Sequence, residues 1–254
     1  SKYDPNEDFF QALGSLHGCK KNKSEAISIL KTSSKKGSAL SSHLLGLLYE
    51  SGEIESDFEK AEYYYKKSAE QGNSNALQRL GYCYTFGSGV KIDYSKAFDN
   101  IQKAAELGNS RALCNLGQCY QKGYGVEKDG GKAFEFISKS AELGNSTALS
   151  NLASCYEKGC GVKQDYNKAM ELFEKAAELG SSSSLCNIAL FYEKGKGIEK
   201  NMEKAIDYYK EAVKLGNTSA LNNLAQCYKK GDGVEKDYNK AIELYEKAGE
   251  LGNA

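Results

Sequence analysis

The sequence predicts an all-α chain built as an α-solenoid of stacked helix–turn–helix pairs. Three observations carry that expectation: glycines at a fixed period, an apolar pattern of helical spacing inside each period, and capping residues at a fixed place within it. Gly37, Gly72, Gly108, Gly144, Gly180, Gly216 and Gly252 are separated by one step of 35 residues and five of 36. Self-similarity at a period of this size is the signature of a repeat architecture. It divides the chain into a degenerate first repeat or cap at 1–37 and six tandem repeats at 38–72, 73–108, 109–144, 145–180, 181–216 and 217–252, in a single continuous array. The chain starts at Ser1 and stops two residues beyond Gly252, which is what a piece of a longer protein would look like.

Taken in order, the first unit offers Phe9, Phe10, Leu13 and Leu16 as one apolar stripe and Ala26-Ile27 with Ile29-Leu30 as a second helix. The next regular unit shows the pattern most clearly. Leu77, Leu80, Gly81 and Tyr84 fall at i, i+3, i+4 and i+7, one face of a helix. Gly87-Ser88-Gly89-Val90 ends that helix, because glycine adopts the left-handed conformations a helix terminus needs. Asp93 then offers a side-chain oxygen to the unpaired amides of a second helix, and Asp57, Asp129, Asp165, Asn201 and Asp237 repeat that cap. Ala97, Ile101, Ala104 and Ala105 form the second stripe, whose small residues let neighbouring helices approach. Gly108-Asn109 closes the unit. One such pair cannot bury its own apolar face, so stability comes from stacking on its neighbours.

Three units depart from the pattern. The repeat at 38 lacks one turn residue at Gly52-Glu53-Ile54, the repeat at 109 has Gly130-Gly131 after its cap, and the repeat at 181 opens with four serines. Each glycine at 130 and 131 weakens a helix start by roughly 1 kcal/mol, which makes this the expected soft point of the array.

Composition narrows the function. Thirty-four Lys+Arg balance 34 Asp+Glu, so there is no net field for a nucleic-acid backbone. The local runs, +3 over residues 1–37 and −4 over 38–72, are too short to be charged tails. No window of 18 apolar residues would insert into a membrane, and the first twenty residues lack a signal-peptide core. Cys83, Cys119, Cys155 and Cys227 lie 36, 36 and 72 apart with Phe191 in the missing slot, and a register that accepts Cys or Phe is a packing position. Cys160, in a turn, is expected to be the most exposed thiol. Free thiols point to a reducing, cytoplasmic setting. His17 and His43 stand in different units without Cys or carboxylate partners at ligand spacing, so neither a metal nor another cofactor is expected. The Gly-x-Gly turns follow helices, not strands, and read as helix terminators instead of phosphate cradles. Asn22-Lys23-Ser24, Asn145-Ser146-Thr147 and Asn217-Thr218-Ser219 match glycosylation acceptors but suit inter-helix turns better.

The residues also resemble a known family. Leu116-Gly117, Tyr120, Gly123, Gly125-Val126, Asp129 and Lys132-Ala133, with the Ala-Ala-Glu-x-Gly ending seen at 104–108, are similar to the Sel-1-like repeat, a relative of the tetratricopeptide repeat. The likeness extends over about 215 residues and implies a right-handed superhelix whose first helices line the concave side. The residue before each Leu-Gly, Leu-Ala or Ile-Ala then faces inward, and it reads Leu44, Arg79, Asn115, Asn151, Asn187 and Asn223. Four asparagines in one register would place amides roughly 9 to 10 Å apart, the packing distance of neighbouring helices. Each amide has a donor and an acceptor for the backbone of an extended peptide; alternatively, each bonds a neighbouring helix and keeps the stack in register. Flanking positions are Gln78, Gln118, Ser150, Ser154, Asn222 and Gln226, with His43, Leu47 and Tyr82 making the early end more apolar. Arg111, Lys122, Lys158, Lys194 and Lys230 add a basic edge suited to an acidic peptide.

The resemblance thus implies a non-enzymatic scaffold or adaptor binding a protein segment in its groove. Two alternatives stand beside it. Ser28 and Lys31 match the Ser-x-x-Lys spacing of penicillin-interacting enzymes, an activity described for a cysteine-rich branch of the family, although the partner motifs and the second-helix cysteines of that branch are missing. The other is a lumenal adaptor in protein quality control. Self-association through open repeat ends is also expected, with Leu221, Leu224 and Leu244 as the candidates for exposure if no further repeat follows.

Overall fold

A computed structural model describes residues 5–17 and 22–252. Among them there are fourteen helices and no strand. The chain divides into two compact units, one reaching to Asp129 and the other starting at Gly130. The first unit holds α1 (Pro5–His17), α2 (Lys23–Lys35), α3 (Ala39–Glu50), α4 (Phe58–Ala69), α5 (Ser74–Phe86), α6 (Tyr94–Glu106) and α7 (Ser110–Lys122). The second holds α8 (Gly130–Glu142), α9 (Ser146–Lys158), α10 (Tyr166–Glu178), α11 (Ser182–Lys194), α12 (Met202–Lys214), α13 (Thr218–Lys230) and α14 (Tyr238–Glu250). Within each unit every helix packs on the next in sequence, the arrangement of an α-solenoid. Notably, the division between units falls at the Gly130-Gly131 pair.

The local rules read from the sequence set these boundaries. Asp57, Asp93, Asp165, Asn201 and Asp237 each accept a hydrogen bond from the backbone N–H three residues on, capping the second helix of their hairpin. The same residues also donate backward: the Asp93 N–H reaches the Tyr84 carbonyl at 2.9 Å, and the Asp165 N–H reaches that of Tyr156 at 2.9 Å. One residue therefore closes the turn and starts the helix. The first helix ends where Gly87, at φ 74°, donates its N–H to the Cys83 carbonyl. Asn22, Asn145 and Asn217, the three possible glycosylation acceptors, are N-caps whose side chains accept from the following helix.

The second glycine of each Gly-x-Gly has a different task, which the sequence did not disclose. A Cβ on Gly89 would lie 2.2 Å from the Phe58 side chain, and one on Gly125 would lie 2.1 Å from the Tyr94 carbonyl. These turns lie directly against the first residue of the preceding repeat's second helix. At Gly161 the neighbour is Gly130 itself, whose carbonyl would be 1.9 Å from an added Cβ. The glycine pair at the start of α8 thus sits at a backbone-to-backbone contact.

Packing follows the predicted stripes, with corrections at the ends. Ala97, Ile101, Ala104 and Ala105 are buried, as are Cys83, Cys119, Cys155, Cys227 and Phe191 in their shared register. Burial pushes the Cys83, Cys119 and Cys227 thiols up to about 11. All seven cysteines among the described residues are free, and Cys160 alone of these is not buried. Phe10, however, is 65% exposed, since Ala12 takes the central place against α2 and α3. Leu221 and Leu224 are buried and Leu244 is half-buried, contrary to expectation. Packing of α14 on α13 covers that stripe, so Tyr238, Ile242 and Tyr245 are exposed instead.

Candidate peptide-binding face

The first helix of each hairpin buries one face and leaves another open. In α5, Leu77, Leu80, Gly81, Cys83 and Tyr84 are buried, while Gln78 and Arg79 are half-buried and Tyr82 and Phe86 are exposed. In the first unit the register expected to face inward consists of Leu44, Arg79 and Asn115, all half-buried.

Arg79 is engaged within the protein. Its Nη1 lies 3.4 Å from Glu50 Oε1, and the other oxygen of Glu50 accepts a hydrogen bond from Tyr65. Glu50 thereby ties three consecutive helices, α3, α4 and α5, and the buried phenol of Tyr65 is held well above its usual range, first by burial and then by Glu50. His43 stands beside this group, its ring 5.7 Å from that of Tyr65, with no hydrogen-bond partner for its buried Nδ1 among the described residues. Burial, and then the Arg79 charge, lower its pKa to about 4, so the imidazole is neutral near pH 7. The side chain of His17 lies outside the described residues. Leu16, Leu44, Leu47, Glu50 and Arg79 line an open depression of about 520 Å³.

Between α5 and α7 the face is different. Tyr82, Phe86, Asn115, Gln118 and Lys122 surround a smaller cavity of about 130 Å³, with Ile101 and Cys119 among its walls. The structure thus brings together three predicted residues, Tyr82, Asn115 and Gln118, with Lys122 of the expected basic edge. Neither Asn115 nor Gln118 has a hydrogen-bond partner among the described residues. The sequence reading missed Phe86. A signal was present, since the equivalent residues in the following repeats are Lys122, Lys158, Lys194 and Lys230. Arg111, at the start of α7, is exposed.

In the second unit Asn151, Asn187 and Asn223 are all half-buried on α9, α11 and α13. Their settings are not equal. Asn223 donates to Cys186 Sγ at 3.6 Å on the preceding first helix, whereas Asn187 has no hydrogen-bond partner among the described residues. The flanking residues are largely occupied in stacking. Ser150 Oγ is hydrogen-bonded to Ser181 and Ser184 at the start of α11, Ser154 donates to the Ser150 carbonyl at 3.1 Å, and Gln226 accepts from Tyr245 at 2.9 Å. Asn222 is half-buried, and Lys158, Lys194 and Lys230 are exposed.

This face is suited to recognition through amides, aromatic rings and charge. Among the described residues no three His, Cys, Asp or Glu side chains are grouped to hold a metal ion, and no helix is long and apolar enough to cross a membrane. Ser28 and Lys31 are exposed on α2.

Comparisons with known proteins agree with this architecture. The Sel1 repeat family matches residues 12–38, 39–73, 74–109, 110–145, 146–181, 182–217 and 218–253, the irregular first unit included. A Sel1 repeat protein from Oxalobacter formigenes is 31% identical, with a TM-score of 0.85 over 95% of this chain and 96% of that one. The protein c5321, described as a protective antigen of uropathogenic Escherichia coli with an SLR fold, is also 31% identical, with a TM-score of 0.72 over 98% of this chain. The chain spans 54% of the length of that antigen. At 15% identity the fold alone is shared with a chain of the APC/C hetero-tetramer Cut9–Hcn1, with a TM-score of 0.61 over 98% of this chain and 43% of that one. No curated protein matches the sequence. With its repeat period, capped hairpins and stacked helices all accounted for, the chain belongs to the Sel1 repeat family.

Proposed function

We propose that the chain is a non-enzymatic scaffold that binds an extended segment of another protein along the open faces of its first helices. The observation that carries this reading is the state of two inward amides. Asn115 in the first unit and Asn187 in the second are half-buried with no hydrogen-bond partner among the described residues, whereas Arg79 and Asn223 in the same register are tied to Glu50 and Cys186. A side-chain amide offers a donor and an acceptor, the complement of a peptide unit, and needs no particular partner side chain. Solenoids present such surfaces by stacking, and many modest contacts add up along them. Asn151, Gln78, Gln118, Asn222, Gln226 and Arg111 belong to the same proposal as flanking contacts. Free buried thiols support a cytoplasmic setting.

Neither alternative gains an observation. The free cysteines lack the pairing of the cysteine-rich, penicillin-interacting branch, and the sequon asparagines at 22, 145 and 217 use their side chains as helix caps. The test compares partners captured from lysate by the intact chain and by the Asn115→Ala/Asn187→Ala variant, after circular dichroism shows both to be folded. Loss of the same partners is the expected result. An unchanged set would place binding elsewhere.

A further inference from the structure

We infer that the cavity between α5 and α7 is an anchor pocket for one unbranched or branched aliphatic side chain, Leu or Met, of an acidic peptide segment. The inference rests on the scaffold reading and specifies what one part of that face selects.

Phe86 is 60% exposed and Tyr82 41% exposed, with ring centroids 4.5 Å apart. Two adjacent aromatic side chains left in water on one helix face mark an interaction site more often than scattered apolar residues do. They also break the repeat. Where Phe86 stands, the four following repeats have lysine. A solenoid with lysine in that register stacks equally well, so packing does not account for the phenylalanine.

The cavity size limits the guest. It is about 130 Å³, slightly below the roughly 150 Å³ of an apolar cavity that accepts benzene. A Leu or Met side chain fits that volume and an indole does not. The lining is apolar at Ile101 and the aromatic rings and polar at Asn115 and Gln118. Those two amides, lacking partners among the described residues, offer donors and acceptors to the guest's main chain beside the anchor.

Charge selects the neighbouring residue. Lys122 is the one charged residue lining the cavity, and no carboxylate pairs with it among the described residues. Its Nζ lies 5.5 Å from the centroid of Tyr124, whose ring stacks on Tyr94 at 4.5 Å. An ammonium beside aromatic rings and without a counter-ion favours a carboxylate from the ligand. At roughly 3.3 Å per residue, an extended segment places such a carboxylate one or two positions from its anchor.

The test uses an array of acetylated, amidated decapeptides on an Ala/Ser background. A central Leu, Met, Trp or Ser is combined with Glu, Gln or Lys at the two following positions. The array is probed with the full chain and with its Phe86→Lys, Lys122→Gln and Asn115→Ala variants, each checked for folding. The expected result is at least tenfold stronger binding of Leu or Met peptides with Glu than of the Ser or Lys peptides. Phe86→Lys, which installs what the following repeats already have, should abolish the central-residue preference, and Lys122→Gln should abolish the Glu preference alone. Binding that ignores the central residue, favours Trp, or is unaffected by Phe86→Lys overturns the pocket. If Asn115→Ala still weakens that binding, the scaffold reading survives. Absence of binding by any peptide to the intact chain overturns both.

Discussion

The two units use one backbone plan and expose different chemistry on it. In the first, the open face of α3, α5 and α7 carries Leu44, Leu47, Tyr82 and Phe86 around a charged tie between Glu50 and Arg79. In the second, the equivalent face of α9, α11 and α13 carries Ser150, Asn151, Ser154, Asn187, Asn222 and Asn223. Caps, turns and buried stripes scarcely differ between the units. The comparison teaches that the repeat separates its duties by register. Positions that cap or stack are held constant, and positions one helix face away are left for recognition to vary.

If the scaffold is common to both units, damage to it should cost the same in either, and this is the largest effect expected. Gly125 and Gly161 have φ of 69° and 72°, and an added Cβ would lie 2.1 Å from the Tyr94 carbonyl and 1.9 Å from that of Gly130. Gly125→Ala and Gly161→Ala should each lose about 4 kcal/mol, the sum of left-handed strain and forced backbone movement. Gly144→Ala, at φ 79° with nothing within 4 Å, should lose only about 1 to 2 kcal/mol. Urea denaturation of the three variants checks this. A cost at Gly161 no greater than at Gly144 would mean that the close approach to α8 is not part of the fold in solution.

How far the sequence disclosed the molecule follows the same division. The period was legible because glycines recur every 35 or 36 residues, and helix ends and caps because each depends on residues within one turn of one another, such as Asp93 and Lys96. That Leu44, Arg79, Asn115, Asn151, Asn187 and Asn223 share one half-buried register was legible too, but its chemical state was not. Arg79 is tied to a residue 29 positions away and Asn223 to one 37 away, and no periodicity says which amides are engaged. Phe86 is hard to see in the sequence because it is the last residue of α5, where the Gly87 stop signal dominates the pattern. An apolar stripe does not by itself say which neighbour covers it, and in the C-terminal repeat α14 covers Leu221 and Leu224. There, Ile242 is 54% exposed while Ile206, its equivalent one repeat earlier, is 2% exposed.

A smaller effect should distinguish the units by pH. His43, on the first unit's face, has a pKa lowered from 6.5 to about 4 by burial and then by Arg79. Its equivalents in the second unit, Ser150, Cys186 and Asn222, bear no imidazole. On unfolding, His43 takes up a proton at its ordinary pKa, so below pH 6.5 the unfolded state binds more protons than the folded one. The stabilisation from neutral His43 is complete above pH 6.5 and is lost as the pH falls towards about 4. It amounts to at most about 3 kcal/mol. Urea midpoints measured at pH 7 and pH 4.5 should fall more for the intact chain than for His43→Leu. An identical fall in both would mean that His43 is protonated within the fold.

The smallest stability effect bears most directly on function. If the inward asparagines hold the stack in register, removing any of them should destabilise it, and the contrast between the units would be one of packing. If they are kept for a ligand, Asn115→Ala and Asn187→Ala should change stability by less than about 0.5 kcal/mol, as surface substitutions without partners do. Arg79→Ala in the same register should cost about 1 kcal/mol, because it removes an ion pair that is only partly exposed and takes a partner from Glu50. The order matters more than the absolute values. A silent Asn115→Ala beside a costly Arg79→Ala separates register positions engaged in the fold from those left open, and any loss of partner binding by the silent variant then reports recognition and not folding. A loss above about 1 kcal/mol at Asn115 or Asn187 would reverse the assignment, since such a cost requires an intramolecular bond.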